Sequence, residues 1–180
     1  MRALAVLSLL ALAPPVAAQA VLGVVSSDLD KSGGAETFTL LDNGQGSADF
    51  QIDNTALGTQ FGADVAWVGG PGQIPFLQLA PNGSVQIVSG NDAIGRDRWN
   101  LTLTIAYRDG EYRVAGYTYA YWDTLDLANN LVCDVNLLSG KGEVSFDGGP
   151  KQTFRTDEFA TPVTVWSQSS FGPNENCFPK

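Results

Sequence analysis

The segment WNLTLTIAYRDGEYRVAGYTYAYW, residues 99–122, determines the fold class, because apolar and polar side chains alternate on both sides of Asp109 and Gly110. Alternation with a period of two is typical of a half-buried β-strand. An Asp-Gly pair between two such runs is a strong signal for a two-residue hairpin turn. The sequence therefore predicts two long antiparallel strands, 98–107 and 111–122, joined by a tight turn.

The two-residue turn also predicts which residues face one another: Arg108 and Glu111, Ile105 and Val114, Thr102 and Tyr117, and Arg98 and Tyr121. Residues that face one another share a side of the sheet. One side is apolar and is predicted to be core; it carries Trp99, Leu101, Leu103, Ile105, Tyr107, Tyr112, Val114, Gly116, Ala120 and Trp122. The other side is polar and carries three tyrosines, with Arg98, Asn100, Thr102, Thr104, Arg108, Glu111 and Arg113.

The three tyrosines have two interpretations. Tyrosine and arginine are favoured anchors of interfaces, so a binding surface is predicted from Tyr117, Tyr119, Tyr121, Arg98 and Asn100. Tyrosine rings also stack on sugars, which allows a carbohydrate-binding module. Alternatively, tyrosines are simply good strand formers, and a second layer or a loop covers them.

The rest of the chain from residue 21 has the same short alternating runs, and no sustained helical period. The predicted fold is all-β, one antiparallel domain over residues 21–180, arranged as a sandwich or a partial propeller-like sheet. Further strands are predicted at 36–41, 48–53, 63–68, 75–80, 84–88, 131–138, 141–146, 152–155 and 163–167. Turns are predicted at Asn43-Gly44, Asn82-Gly83 and the segment 139–142.

The segment SDLDKSGGAE, residues 27–36, has the oxygen-rich pattern of a calcium loop. Ca²⁺ takes six to eight oxygen ligands, often from one tight loop with a glycine at the sixth position. Here Gly33 occupies that position, and the loop runs directly into a strand rather than a helix. The predicted ligands are Asp28, Asp30, Ser32, the Gly34 carbonyl and Glu36. The alternative is an acidic, glycine-rich turn without a metal.

The first twenty residues are predicted to be a signal peptide, with Arg2 before an apolar run and a small-x-small site at Ala18-Gln19-Ala20. Cleavage after Ala18 is a second option. The protein is therefore expected in a bacterial periplasm or outside the cell. The only two cysteines, Cys133 and Cys177, suit an oxidising compartment and are predicted to form a disulfide, with two free thiols as the alternative.

The chain is strongly acidic: without Arg2, nine of the ten basic residues remain against nineteen acidic ones. This balance disfavours nucleic acid and anionic membranes, and favours cationic partners or calcium. Acidity that serves solubility alone is the simpler alternative. No later segment is long and apolar enough to span a bilayer, so membrane insertion is not expected.

Catalysis is not expected. The chain has no histidine, which excludes serine–histidine–aspartate and cysteine–histidine sites. A glycosidase-type carboxylate pair is the remaining option. Candidate pairs are Asp123 with Asp126, Asp134 with Glu143, and Asp157 with Glu158, and none stands out by its spacing.

Together, the loop of residues 27–36, the hairpin of residues 99–117 and the run VNLLSGK at 135–141 resemble a bacterial group. Its members are small periplasmic proteins with one calcium loop of the FG-GAP or VCBS kind, and some are similar to immunity proteins that inhibit lysozyme-like enzymes. The resemblance implies a calcium-stabilised β domain that is not an enzyme. The expected partner is another protein, such as a basic cell-wall hydrolase. A carbohydrate-binding module is the second hypothesis and a carboxylate-based glycoside hydrolase the third.

Overall fold

The computed structural model describes residues 18–178. The predicted signal peptide therefore lies almost entirely outside the described residues. Within them, none of the helices is long and apolar enough to cross a membrane.

The described chain is built of strands with two single-turn 3₁₀ helices, Gln168–Ser170 and Glu175–Cys177. The all-β prediction is confirmed. The strands are β1 Ala20–Ser27, β2 Glu36–Asp42, β3 Ser47–Asn54, β4 Gly58–Trp67, β5 Phe76–Leu79, β6 Val85–Asn91, β7 Asp97–Arg108, β8 Glu111–Asp123, β9 Asn130–Asn136, β10 Lys141–Phe146, β11 Gln152–Arg155 and β12 Thr161–Pro162.

Two antiparallel sheets make up the domain. The first is a four-stranded meander in the order β1-β2-β3-β4, and the second runs in the order β11-β10-β9-β8-β7-β6-β5. The short strand β12 pairs with β8 at Val114 and Arg113. Strand β1 was not predicted, although it pairs with β2 along its length. Its solvent-facing apolar residues, such as Val21 and Val24, hide the alternation that identifies a half-buried strand.

The two sheets enclose one hydrophobic core, so the domain is a single unit. From the first sheet, Phe38 and Phe50 are fully buried, and from the second, Leu103 and Ile105 are. The ring of Phe38 meets the ring of Tyr112 edge to face, with centroids 5.9 Å apart. Such aromatic pairs contribute on the order of 1 kcal/mol beyond the area they bury.

The predicted hairpin exists, but its register changes half-way along β8. Up to the middle it follows the prediction, with Arg108 opposite Glu111 and Ile105 opposite Val114. Beyond that point Thr104 lies opposite Gly116, so Ala115 is an extra residue that forms a β-bulge. A bulge places two residues against one and turns the side chains that follow to the other face.

The bulge corrects the predicted position of the tyrosines. Tyr117 lies opposite Leu103, Tyr119 opposite Leu101 and Tyr121 opposite Trp99, so all three are on the core side of the sheet. The predicted core residues Gly116, Ala120 and Trp122 are correspondingly on the outer side. The prediction that Thr102 faces Tyr117 and Arg98 faces Tyr121 is therefore wrong.

The strand predicted at 163–167 is also wrong. The carbonyl of Pro162 accepts hydrogen bonds from the N–H groups of Val165, at 2.9 Å, and Trp166, at 3.0 Å, which makes a turn instead. The C-terminal segment, residues 163–178, then crosses the inner side of the second sheet beside Tyr117 and Tyr119. The predicted disulfide ties its end down, since Cys177 is bonded to Cys133 of β9.

The hairpin turn gives a test of the backbone assignment. Asp109 and Gly110 have φ values of 55° and 82°, the two positive values of a type I′ turn. Because a β-branched residue opposes positive φ, Gly110→Val should lower the free energy of unfolding by roughly 1–3 kcal/mol. Urea unfolding followed by tryptophan fluorescence measures this change.

The matched control is Gly70→Val. At Gly70, as at Gly110, no atom lies within 4 Å of the position that a Cβ would occupy, but Gly70 has no positive φ. That variant should lose less than about 0.5 kcal/mol, as an ordinary surface change does. Equal losses in the two variants would show that φ at Gly110 is not what matters.

Candidate functional site

The loop between β1 and β2 is curled and acidic. Lys31 and Gly33 have positive φ values of 62° and 92°, which curl the chain around the acidic side chains. The Asp30 carboxylate accepts the N–H of Ser32 at 2.8 Å, and Asp28 Oδ2 accepts the N–H of Gly33 at 3.3 Å. These bonds hold two carboxylates towards the inside of the curl.

Glu36 anchors this loop in the core. It is 1% exposed, and burying a carboxylate is costly unless it is hydrogen-bonded. Its Oε2 accepts the N–H of Leu29 at 2.7 Å, and its Oε1 accepts the N–H of Asp30 at 3.0 Å. Oε1 also accepts the hydroxyl of Tyr112 at 2.7 Å. The predicted ligand Glu36 is therefore already used to shape the loop from within.

Tyr112 and Asn54 support the loop from β8 and β3. The Asn54 amide donates to the Tyr112 hydroxyl at 2.7 Å and to Asp30 Oδ2 at 2.8 Å. Burial, and then the bond to Glu36, raises the pKa of Tyr112, so the hydroxyl stays protonated and keeps donating. Backbone and side-chain bonds from Ser32, and then from Asn54, lower the pKa of Asp30.

The three carboxylates of the loop lie close enough to share a cation. Asp28, Asp30 and Glu36 each offer an oxygen, and these oxygens lie within 4.8 Å of one another. Asp28 Oδ1 is buried and has no hydrogen-bond partner. The one basic side chain in the loop does not neutralise them, since Lys31 Nζ donates to the Asp28 carbonyl at 3.0 Å. The donor set is all oxygen, which suits Ca²⁺.

The other two predicted ligands, Ser32 and Gly34, lie in the exposed part of the same loop. Ser32 Oγ accepts the N–H of Gly34 at 3.4 Å, a long contact. Their participation stays a prediction.

The predicted binding surface of five residues does not form one face. Tyr117 is 3% exposed, and Tyr119 and Tyr121 are half-buried against the core, while Arg98 and Asn100 project from the outer side. The Tyr121 hydroxyl donates to Asp97 at 2.7 Å, a bond that raises the pKa of Tyr121 to about 12. The second interpretation of the tyrosines, coverage by other parts of the chain, fits Tyr117 best.

Two of the three candidate carboxylate pairs have other partners. Asp134 and Glu143 are neighbours across β9 and β10, and Lys151 forms an ion pair with Glu143. The Asp123 carboxylate accepts the N–H of Asp126, so this pair is a loop cap. Neither arrangement leaves two free carboxylates facing one another.

The loop of residues 124–129, between β8 and β9, presents two leucines to solvent. Leu125 and Leu127 are each 78% exposed, the highest values among the large apolar side chains of the described chain. Apolar side chains held out in this way are typical of interaction sites. This exposed feature was not predicted by the alternation pattern, because the loop has none.

Asp123 fixes the shape of this leucine loop. It is 2% exposed, and both carboxylate oxygens accept from Arg96 Nε at 2.7 Å. Oδ1 also accepts the N–H of Leu125 at 2.8 Å. The Arg96 guanidinium, with these N–H groups, lowers the pKa of Asp123 to about 2. A charged contact between the buried Asp123 carboxylate and the half-exposed Arg96 guanidinium therefore holds the start of the loop.

Comparison of the chain with protein-family models, with curated proteins and with solved structures gives no match. The resemblance to proteins with FG-GAP or VCBS calcium loops therefore stays a prediction that rests on the quoted residues.

The Asp123–Arg96 contact predicts how stability depends on pH. The folded pKa of Asp123, about 2, lies below the ordinary value of 3.8. The contact therefore stabilises the fold fully above about pH 4, and this stabilisation is lost as the pH falls through the folded pKa. The difference in melting temperature between the wild type and Asp123→Asn should be largest near neutral pH and should shrink towards pH 2.

Asp126→Asn is the control in the same loop, because the Asp126 side chain is exposed and has no ion pair in the described chain. Its melting temperature should differ little from that of the wild type at every pH. If the deficit of Asp123→Asn is the same across the whole range, charge on Asp123 is not its cause.

Proposed function

We propose that this protein is an exported, calcium-stabilised binding domain that acts by holding another protein rather than by catalysis. The observation that carries the proposal is the buried, unpartnered Asp28 Oδ1 beside the carboxylates of Asp30 and Glu36. A buried acceptor without a donor costs free energy, and a bound cation would remove that cost. The disulfide between Cys133 and Cys177 agrees with folding outside the cytoplasm.

Calcium would serve stability in this proposal. The loop of residues 27–36 is joined to the core through Glu36 and Tyr112, so a cation held there would strengthen the junction of the two sheets. The cation would also offset repulsion among three carboxylates that have no basic partner in the described chain. Like charges at this separation disfavour one another strongly where water is excluded.

Millimolar calcium should raise the melting temperature relative to the protein in EDTA. Binding to the native state alone stabilises by RT ln(1 + [L]/Kd), which is about 2.7 kcal/mol at a hundredfold excess over Kd. Asp28→Asn should abolish the shift, because it removes the unpartnered carboxylate oxygen while leaving the bonds to Glu36 in place. Differential scanning calorimetry with and without calcium measures the effect.

Asp157→Asn is the control, since Asp157 is an exposed acid outside the loop. It should show the wild-type calcium shift. Identical melting curves of the wild type in EDTA and in calcium would contradict the proposed site, and an equal shift with Mg²⁺ would contradict its selectivity for calcium.

The leucine loop is the proposed contact with the partner. Leu125 and Leu127 stand out from a loop that Asp123 and Arg96 already order, so little conformational entropy remains to be lost on binding. The acidic surface favours a basic partner, for which charge complementarity speeds association. A basic cell-wall hydrolase of the lysozyme type has this chemistry, and the inserted loop would block its cleft.

The carbohydrate-binding hypothesis loses its main support, because it needs the three tyrosines on an open face. Tyr117 is buried and hydrogen-bonded to Glu158 and to the N–H of Asn174. A glycoside hydrolase remains the weakest alternative, since each candidate pair includes a carboxylate that has another partner, namely Asp123, Glu143 and Glu158.

Replacing both loop leucines, Leu125→Ala with Leu127→Ala, should weaken binding to a responsive lysozyme-type hydrolase by roughly 2 kcal/mol or more, as the loss of interface anchors does. The melting temperature should stay within about a degree, because both side chains are exposed. Biolayer interferometry against a panel of basic lysozyme-type enzymes, with activity assays, measures the change.

Leu138→Ala is the control, because Leu138 is an exposed leucine in the turn between β9 and β10. It should bind as the wild type does. If the double variant binds as tightly as the wild type, the leucine loop is not the contact. If the wild type binds none of the enzymes in the panel, the proposed partner class is wrong.

A further inference from the structure

A small cleft lies between the inner side of the second sheet and the C-terminal segment. Its volume is about 270 Å³, which suits a ligand of a few to about ten heavy atoms. Tyr117, Trp166 and Phe171 are among the residues that line it. The Phe171 ring lies 5.2 Å from the Trp166 ring and 5.1 Å from the Tyr117 ring, measured between centroids.

The side of this aromatic cleft that is open to solvent is also apolar. Phe159 and Val165 line it and are 73% and 69% exposed. Exposed large apolar side chains beside a concave aromatic site are typical of ligand-binding sites rather than of ordinary surface. A ligand seated in the cleft would cover both.

Glu158 is the one charged residue that lines the aromatic cleft. Its carboxylate accepts only neutral donors, namely the Tyr117 hydroxyl at 3.2 Å and the Asn174 amide at 2.9 Å. The ion pairs of the described chain all lie elsewhere. This half-buried carboxylate has no cation partner and lines the same cleft as Trp166 and Phe171, so the cleft offers a positive group both a counter-charge and aromatic rings.

We propose that the aromatic cleft binds a small organic cation, a substituted ammonium. The ammonium lies against the rings of Trp166 and Phe171 and is neutralised by Glu158. Aromatic faces attract such cations most strongly where water is displaced from the site. This site is independent of the calcium loop and of the leucine loop.

Choline and its neutral carbon isostere, 3,3-dimethylbutan-1-ol, test the proposal, because they share size and hydroxyl and differ only in charge. Calorimetric titration and quenching of tryptophan fluorescence should show choline binding at least about tenfold more tightly than the isostere. Equal affinities for choline and the isostere, or no binding of choline, would overturn the proposal.

Two variants locate the site. Glu158→Gln should reduce choline affinity about tenfold or more, while Glu175→Gln, which removes an exposed acid outside the cleft, should leave it unchanged. Phe159→Ala provides a second variant that keeps the fold, because Phe159 is exposed, and it should also weaken binding. Wild-type affinity in both Glu158→Gln and Phe159→Ala would place the bound cation elsewhere and refute the assignment.

Discussion

The bulge at Ala115 is the constraint on which both ends of the domain depend. Before it, Tyr112 and Val114 point into the core, and after it Tyr117 and Tyr119 do. Because a shift of one residue exchanges the faces of a strand, β8 supplies core aromatics in both halves. Without the extra residue, the Tyr117 hydroxyl would point to the outer side, and the buried N–H of Asn174 would lose its acceptor.

The half of β8 before the bulge holds a buried polar network instead of a purely apolar core. Glu36 is buried with three hydrogen bonds, one from Tyr112 and two from the backbone of the loop. Burial of this carboxylate is tolerated because its hydrogen bonds to Tyr112 and to the loop backbone replace those it would make with water. The network therefore ties the acidic loop to the core and keeps Asp28 and Asp30 in place. The proposed calcium site would for this reason lose less entropy on binding than a flexible loop does.

Local signals in the sequence predicted much of this architecture. The Asp-Gly turn, most strand positions and the pairing of Cys133 with Cys177 follow from turn chemistry, alternation and the cysteine count. The bulge was not predicted from the sequence. Apolar and polar residues alternate regularly both before and after it, so the pattern around Val114 does not reveal the extra residue. The support that Asn54 and Arg96 give to the two loops also depends on contacts far apart in sequence, which a local pattern does not contain.

The proposed sites occupy different parts of β8, and this separation limits how they can influence one another. Eleven residues separate Tyr112, beside the calcium loop, from Asp123, beside the leucine loop, and this is roughly 36 Å of strand at about 3.3 Å per residue. The strand between them is paired on both sides for much of its length, and the structure shows it in one arrangement. A coupling between distant sites needs an element with two states that both sites bias. Calcium should therefore affect binding by the leucine loop only by increasing the fraction of molecules that are folded. Where the protein is already folded, the shape of that loop is set by local contacts, namely the Asp123–Arg96 contact and the hydrogen bond from the Asn130 amide to the Leu127 carbonyl.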